Sequence, residues 1–232
     1  MAALNALMIV GTDTEVGKTV LTSALAAYWQ KFLSPRSLGL LKPVQAGVGD
    51  RELYQRLFMP DQPLEAITPQ YFAAPLAPPL AAALEGRSLD LAAVWQTLER
   101  LCQERDWVLV EALGGLGSPV TEELTVADLA AVWHLPVVLV VPVQLGAIAQ
   151  AVANVALARQ CQVNLRGIVL NCCQPRSPED IAQWAPADLI SRLTQTPILG
   201  TLPYLDDPED LEKLAYVGSS LQLEALGLPL GA

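Results

Sequence analysis

Histidine, cysteine and basic side chains are all scarce in this chain of 232 residues. A single histidine, His134, excludes a histidine-based catalytic triad and a multi-histidine metal site within one chain. The cysteines Cys102, Cys161, Cys172 and Cys173 form no CxxC pair, so their spacing offers no metal framework. We expect them to be small buried thiols of a protein in the reducing cytoplasm, without disulfides.

Positive charge is also in short supply. Lys and Arg total 14 against 24 for Asp and Glu, which gives a formal net charge of −10, and charged residues make up only 16% of the chain. A general nucleic-acid or anionic-membrane surface needs clustered basic residues. We therefore expect no nucleic acid and no membrane among the partners.

One long stretch between Asp128 and Arg159 contains no charged residue, with His134 counted as neutral, and it exceeds the roughly 20 residues of a membrane span. Pro136 and Pro142 bracket five mostly β-branched residues within it, which predicts a buried parallel strand, a loop and an Ala-rich helix. The N-terminus has no basic region before its apolar stretch, so we predict no signal peptide.

Apolar residues make up 52% of the chain, enough for one sizeable core, and we expect a single domain over residues 1–232. Short β-rich runs alternate with helical stretches, which predicts an α/β protein with a mostly parallel sheet. Strands are expected at 7–10, 38–42, 107–111, 137–141, 167–171 and 198–202. Helices are expected at 18–32, 89–102, 147–159 and 178–193, with a helical tail from about 208 and a long proline-rich connection after the second strand.

Ligands of such sheets gather at the carboxyl ends of the strands, where this chain concentrates its glycines and polar residues. The strongest local pattern is G-T-D-T-E-V-G-K-T at 11–19, which follows a strand and opens a helix. This context is typical of a phosphate-binding loop, with Lys18 on the β/γ-phosphates and Thr19 on Mg²⁺. The spacing is unusual, because five residues separate Gly11 from Gly17, whereas the common pattern has four residues between its two glycines.

Three charged residues at other strand ends suit the same site. Glu111 ends an apolar strand and Asp50 follows a glycine-rich turn, so either can hold Mg²⁺, although each alone is also typical of a solvated residue or a helix cap. Lys42 ends another apolar strand. It suits an anionic acceptor held against the γ-phosphate, although an isolated lysine there commonly extends to solvent.

Several of these segments together resemble the dethiobiotin synthetases. The resemblance lies in the loop at 11–19, K-P-V-Q at 42–45, W-V-L-V-E at 107–111, the strand at 135–141, L-G at 145–146 and P-Y-L at 203–205. It implies a single-domain, P-loop NTPase-like α/β fold. It also implies ATP- and Mg²⁺-dependent ring closure of 7,8-diaminononanoate with CO₂ to dethiobiotin, through carbamate and carbamic-phosphate intermediates. Family members are homodimers in which the two subunits share the substrate site.

The resemblance also implies residue roles. Lys18 and Lys42 would be catalytic, and Thr19, Asp50 and Glu111 would bind the metal. Lys42 and Ala46 would contact the substrate, together with Leu145 and Gly146 of the second subunit. The ATP site would comprise Glu15, Val16, Gly17, Lys18, Thr19, Asp50, Glu111, Ala112, Leu113, Gly114, Asn171, Cys172, Pro203, Tyr204, Leu205 and Glu209.

The chain departs from the family pattern at four places on the acceptor side. Ala46 replaces a Ser or Thr, and the segments 112–113, 149–150 and 77–79 differ from the usual G-A, N-H and S-P-H. Another P-loop synthetase that activates a carboxylate-like acceptor is therefore an alternative. A dimeric nucleotide switch is a weaker one, because such loops carry a lysine near their start and residues 12–14 include none.

Overall fold

The fold is built on one parallel sheet with helices on both faces. The structure, a computed structural model, describes residues 4–228, and within this range it contains eight strands and eleven helices. The strands are β1 (Ala6–Gly11), β2 (Leu38–Leu41), β3 (Val44–Ala46), β4 (Gln70–Phe72), β5 (Trp107–Gly115), β6 (Pro136–Pro142), β7 (Asn164–Asn171) and β8 (Ile198–Leu202). The helices are α1 (Lys18–Phe32), α2 (Asp50–Leu57), α3 (Leu64–Ile67), α4 (Pro78–Leu84), α5 (Leu91–Glu104), α6 (Val126–Val132), α7 (Ala147–Gln160), α8 (Pro178–Trp184), α9 (Ala187–Thr194), α10 (Leu211–Ser219) and α11 (Leu223–Leu226).

Six strands form the main sheet in the order β2-β5-β1-β6-β7-β8, and all of its pairings are parallel. The short strands β3 and β4 pair separately, also in parallel. This architecture confirms the predicted α/β class. The order puts β1 between β5 and β6, so the loop after β1 lies beside the carboxyl end of β5.

Alternate residues of β1 enter two different cores. Leu7 and Ile9 pack into the apolar cluster that α1 and α10 cover, while Met8 and Val10 pack into the cluster covered by α5, α6 and α7. The sequence of a strand that is buried on both faces is a nearly continuous run of apolar residues. The high apolar content of the chain therefore follows from its doubly covered sheet.

The long uncharged stretch folds as predicted, into β6, a loop and α7. Within residues 4–228, no helix has both the length and the apolar composition needed to span a bilayer.

The proline-rich connection is where the sequence prediction is wrong. In place of an irregular segment, the chain between β2 and α5 contains β3, α2, α3, β4 and α4. Pro78 and Pro79 open α4, at the first helical positions where the missing amide donor of proline is tolerated. These elements are only three to eight residues long, too short for hydrophobic periodicity to identify.

Other boundaries also differ from the prediction. The helix expected at 178–193 is two helices, α8 and α9, because Pro186 has no amide hydrogen to continue a helix and is the N-cap of the second one. β5 continues to Gly115 and β7 begins earlier, at Asn164. The tail helix α10 begins after Asp210, whose side chain accepts a hydrogen bond from the amide of Lys213.

The cysteines are all free, as predicted, but they are not all buried. Cys172 is buried, Cys102 and Cys161 are half-buried, and Cys173 is exposed. The expectation of four buried thiols is therefore wrong for three of them, and Cys173, the second residue after β7, is the most exposed. His134 immediately follows the C-cap of α6, which confirms its predicted place at a helix end.

Candidate active site

The predicted phosphate-binding loop joins β1 to α1. Gly17 is the N-cap of α1 with a φ of 99°, and no side-chain cap bonds to this end of the helix among the described residues. The first amides of α1 are therefore available to an anion. Lys18 Nζ donates a hydrogen bond to the carbonyl oxygen of Asp13 at 2.9 Å, so its ammonium group lies over the loop. Burial lowers the pKa of Lys18 to about 8, although nearby Glu111 acts in the opposite direction.

The carboxyl end of β7 supports this loop. Asn171 Nδ2 donates to the carbonyl oxygen of Val16 at 3.0 Å. A Cβ atom at Gly17 would lie 2.0 Å from the same nitrogen, so glycine is required both by the backbone angle and by the approach of Asn171. The thiol of Cys173 lies 3.5 Å from the carbonyl oxygen of Glu15. The loop thus rests directly on residues at the end of β7.

A buried ammonium group joins the two predicted carboxylates. Lys42 Nζ lies 2.5 Å from Asp50 Oδ2 and 2.7 Å from Glu111 Oε1. Lys42 is 4% exposed and Glu111 is 1% exposed. Burial opposes the charged form of Lys42, but the two carboxylates hold its pKa above the ordinary value. The pKa of Asp50 is lowered, because Lys42 outweighs the opposing effect of burial.

The hydroxyl group of Thr19 joins this cluster. Its Oγ1 lies 3.0 Å from Asp50 Oδ1 and 3.2 Å from Glu111 Oε1, and its single hydrogen is donated to one of these carboxylates at a time. Three oxygen ligands from three different elements therefore converge, a donor set that Mg²⁺ accepts when phosphate and water complete the shell. Within residues 4–228, no group of three or more His, Cys, Asp or Glu side chains is arranged to hold a metal ion.

Sequence reasoning missed two hydroxyl groups that surround Glu111. Thr22 Oγ1 donates to Glu111 Oε2 at 2.7 Å, and the hydroxyl of Tyr54 donates to the same oxygen. Burial, reinforced by the negative charge of Glu111 and Asp50, raises the pKa of Tyr54 well above its usual value. Helical spacing could have indicated both residues, because positions three or four apart lie on the same side of a helix. Thr22 follows Thr19 by three residues, and Tyr54 follows Asp50 by four.

A cavity of about 630 Å³ opens in front of this cluster. Its charged and polar lining comes from the loop and from Lys18, Thr19, Lys42, Gln45, Asp50, Glu111 and Ser118. Its apolar lining comes from Val44, Ala46, Pro75, Leu76, Ala77, Pro78 and Leu113. The cavity therefore combines charged groups with apolar side chains.

A second cavity, of about 300 Å³, lies on the other side of the loop. It brings together Glu15, Gly17, Asn171, Cys172 and the segment 203–205, all of them predicted for the ATP site. It also contains residues that sequence reasoning did not select, namely Val20, Cys173, Asp206 and Pro208. No sequence pattern identified these four, because their position depends on how the loops after β7 and β8 come together.

Some predicted residues lie outside both cavities. Val16 and Ala112 are buried. Glu209 pairs with the guanidinium group of Arg56 at 2.7 Å. Leu145 and Gly146 are exposed at the start of α7, so the described chain does not bring them to its own cavity.

Comparison with known proteins gives the family. A family model described as an AAA domain matches residues 5–211. A relative from Gloeothece citriformis, the ATP-dependent dethiobiotin synthetase BioD, is 60% identical and covers 97% of this chain and 99% of its own length. The chain belongs to the dethiobiotin synthetase family. It is thus an ATP-dependent enzyme of the ligase class, as the sequence predicts.

The family extends to more distant relatives. Proteins of the same name from Synechocystis and Salmonella typhi, the latter called BioD 1, are 54% and 37% identical. The first covers 95% of this chain and 94% of its own length, and the second covers 85% and 88%.

Solved structures of other families share the fold alone. A ParA family ATPase from Chlorobium tepidum has a TM-score of 0.56 at 15% identity, and each chain is covered to 97%. The cell division protein MinD from Aquifex aeolicus has a TM-score of 0.57 at 15% identity, with 97% of this chain and 98% of that chain covered. The dethiobiotin synthetase chain therefore has the P-loop NTPase-like fold that its sequence predicts.

Three of the departures from the expected family pattern, at Ala46, Ala77 and Leu113, line the large cavity. Ala46 and Ala77 have no hydroxyl group, so they offer a substrate no side-chain hydrogen bond.

Proposed function

We propose that this chain closes the ureido ring of dethiobiotin from 7,8-diaminononanoate, CO₂ and ATP, releasing ADP and phosphate. One observation carries the proposal: the phosphate-binding loop, Lys42 and the two carboxylates line one cavity together with several apolar side chains. The charged groups suit a triphosphate, and the apolar side chains suit the hydrocarbon chain of a diamine.

The proposed reaction has three steps. One amine of the substrate adds to CO₂ and loses a proton, which gives a carbamate. A carbamate oxygen then attacks the γ-phosphorus of ATP, forming a mixed anhydride as the bond to ADP breaks. The second amine attacks the carbamoyl carbon and loses a proton, and phosphate departs as the ring closes. No protein nucleophile is required, so the protein acts by positioning and charge stabilisation.

Two lysines supply the charge stabilisation in this scheme. Lys18 and the amides at the start of α1 would bind the β- and γ-phosphates. Lys42 would bind the carbamate oxygen and the γ-phosphate, because it lies at the junction of the polar cluster and the cavity. Its raised pKa keeps the ammonium group charged at neutral pH.

Thr19, Asp50 and Glu111 would hold Mg²⁺. Their convergence and their oxygen chemistry support this assignment. The ion supplies positive charge to the phosphate oxygens of the bound nucleotide.

The smaller cavity is the proposed adenine site. Asn171, Cys172 and the segment 203–205 line it, next to the loop that would hold the phosphates. Glu209 lies in the same loop after β8 and would complete the outer edge of this site, where it pairs with Arg56 of α2.

We also propose a homodimer in which α7 of one subunit helps to bind the substrate of the other. The solvent-facing residues of α7 include Ala149, Val152, Ala153 and Ala156, an uncharged surface that a second copy could cover. The N-terminus of α7 follows Leu145 and Gly146 and has no side-chain cap in the described chain. Its free amides suit the substrate carboxylate.

We place the reaction in the cytoplasm. Four free cysteines support a reducing compartment.

Initial-rate measurements of ADP release test the proposed function. With ATP, Mg²⁺ and bicarbonate present, addition of 7,8-diaminononanoate should raise ADP release from a low background to its full rate. ATP turnover indifferent to the diamine would contradict the assignment and favour another P-loop synthetase with a different acceptor.

A further inference from the structure

The two oxygens of the Glu111 carboxylate have different surroundings. Oε1 faces the reaction side of the cluster, with Lys42 Nζ at 2.7 Å and Thr19 Oγ1 at 3.2 Å. Oε2 faces the core and accepts the hydroxyl groups of Thr22, at 2.7 Å, and Tyr54. One oxygen is therefore directed at the candidate metal site while the other is held by two neutral donors.

Tyr54 reaches this position from α2. It lies one helical turn after Asp50, so both side chains project toward the same side of the helix. Tyr54 is only 1% exposed and belongs to the apolar cluster that includes Phe58 and Ile67. The ring is fixed by packing, and its hydroxyl group is the part directed toward the carboxylate.

We propose that Tyr54 is a positioning residue that fixes the Glu111 carboxylate with Oε1 toward the metal side. This inference rests on the proposed function, in which Glu111 helps to hold Mg²⁺. The terminal torsion of a glutamate is broad, so its carboxylate rotates unless its oxygens are held. Residues that orient a metal ligand commonly contribute 10–100-fold to metal affinity. Tyr54 thereby couples α2, which also carries Asp50, to the carboxylate at the end of β5.

The variant Tyr54→Phe removes the hydroxyl group and keeps the ring. Mn²⁺ binding to the full chain saturated with a non-hydrolysable ATP analogue is followed by electron paramagnetic resonance, a readout that needs no turnover. We expect the Kd for Mn²⁺ to rise about 10-fold. In turnover assays the Mg²⁺ concentration for half-maximal rate should rise with it, while ATP-analogue binding without metal stays unchanged.

Thr194→Val is the matched control. It removes another buried hydroxyl group, one that bonds to the carbonyl oxygen of Ile190 in α9, far from the cluster in sequence and on a different element. Its Mn²⁺ affinity should equal that of the unaltered protein. If Tyr54→Phe is too unstable in buffer, the same titration in sucrose, which favours the folded state, carries the same expectation.

The variant Glu111→Gln distinguishes the positioning role of Tyr54 from the metal-binding role of Glu111, which belongs to the proposed function. Weaker Mn²⁺ binding in Glu111→Gln with unaltered binding in a folded Tyr54 variant would overturn the role of Tyr54 alone. Unaltered Mn²⁺ binding in Glu111→Gln would overturn the metal role of Glu111 itself, and the positioning role with it.

Discussion

At the scale of single residues, the proposed chemistry depends on a lysine enclosed by acidic groups. Lys42 is buried between Asp50 and Glu111 and reaches the cavity at the same point. Such a cation neutralises developing negative charge without reorganisation of the surrounding solvent.

Lys42→Ala should lower the rate of dethiobiotin formation by at least about 100-fold, the scale associated with loss of one charge-stabilising group. ATP affinity should stay nearly intact, because Lys18 and the loop amides would still hold the phosphates. Calorimetric titration with ATP and a product assay check both parts, with thermal unfolding to establish that the variant folds. Lys31→Ala, which alters an exposed lysine paired with Glu212, is the control. Complete loss of ATP affinity in Lys42→Ala would refute the acceptor-side role.

Gly17 is a second residue-scale test. Gly17→Ala should weaken ATP binding at least about 10-fold, because its Cβ would meet Asn171 and a non-glycine residue costs about 1–2 kcal/mol in this backbone region. Gly86→Ala is the control: its φ is also positive, at 62°, but nothing lies within 4 Å of the added Cβ. Equal ATP affinities in the two variants would contradict the contact between Asn171 and the loop.

At the scale of elements, helices and strands with long apolar or periodic runs are predicted well from the sequence, and short elements are not. β1, β6 and α1 have long apolar or periodic runs and were predicted almost to their ends. α2 is short and lies among prolines and glycines, and it was missed together with Tyr54, which it carries. The glycines before Asp50 indicate it as a site residue. Tyr54 and Thr22 reach Glu111 only because α2 and α1 pack beside the end of β5, and no local sequence pattern predicts that packing.

The start of α6 gives an element-scale prediction with a defined pH dependence. Thr125 and Asp128 form a capping box, and hydrogen bonds from Thr125 hold the pKa of Asp128 below its ordinary value. A lowered pKa means that this stabilisation is present above about pH 3.8 and is lost as the pH falls below it. Thr125→Ala should reduce the free energy of unfolding at pH 7 by about 1 kcal/mol.

Urea unfolding of Asp128→Asn tests the direction of this pH dependence. The variant should be less stable than the unaltered protein at pH 7, and the difference should shrink as the pH approaches 3. Asp61→Asn, an exposed loop substitution, should show no such trend. A difference that grows toward low pH would contradict the capping role of the ionised carboxylate.

At the scale of the whole molecule, sparse charge and a doubly covered sheet leave α7 with exposed residues that carry no charge from Ala149 to Ala156, before Arg159 in its last turn. Ala156→Glu should place a charge in the proposed subunit interface and shift the protein from dimer to monomer in analytical ultracentrifugation. Diamine-dependent turnover should fall with it, while ATP binding persists. Ala92→Glu, on the exposed side of α5, is the control. An unaltered sedimentation coefficient in Ala156→Glu, or a monomeric starting protein, would refute this interface.

In the proposed reaction, transfer of the γ-phosphoryl group of ATP to a carbamate drives carbon from CO₂ into a ring. Mass spectrometry of the product formed from ¹³C-bicarbonate, ATP, Mg²⁺ and 7,8-diaminononanoate tests it most directly. The account predicts dethiobiotin one mass unit heavier than the unlabelled compound, formed in a one-to-one ratio with ADP. Release of ADP without labelled dethiobiotin would contradict it.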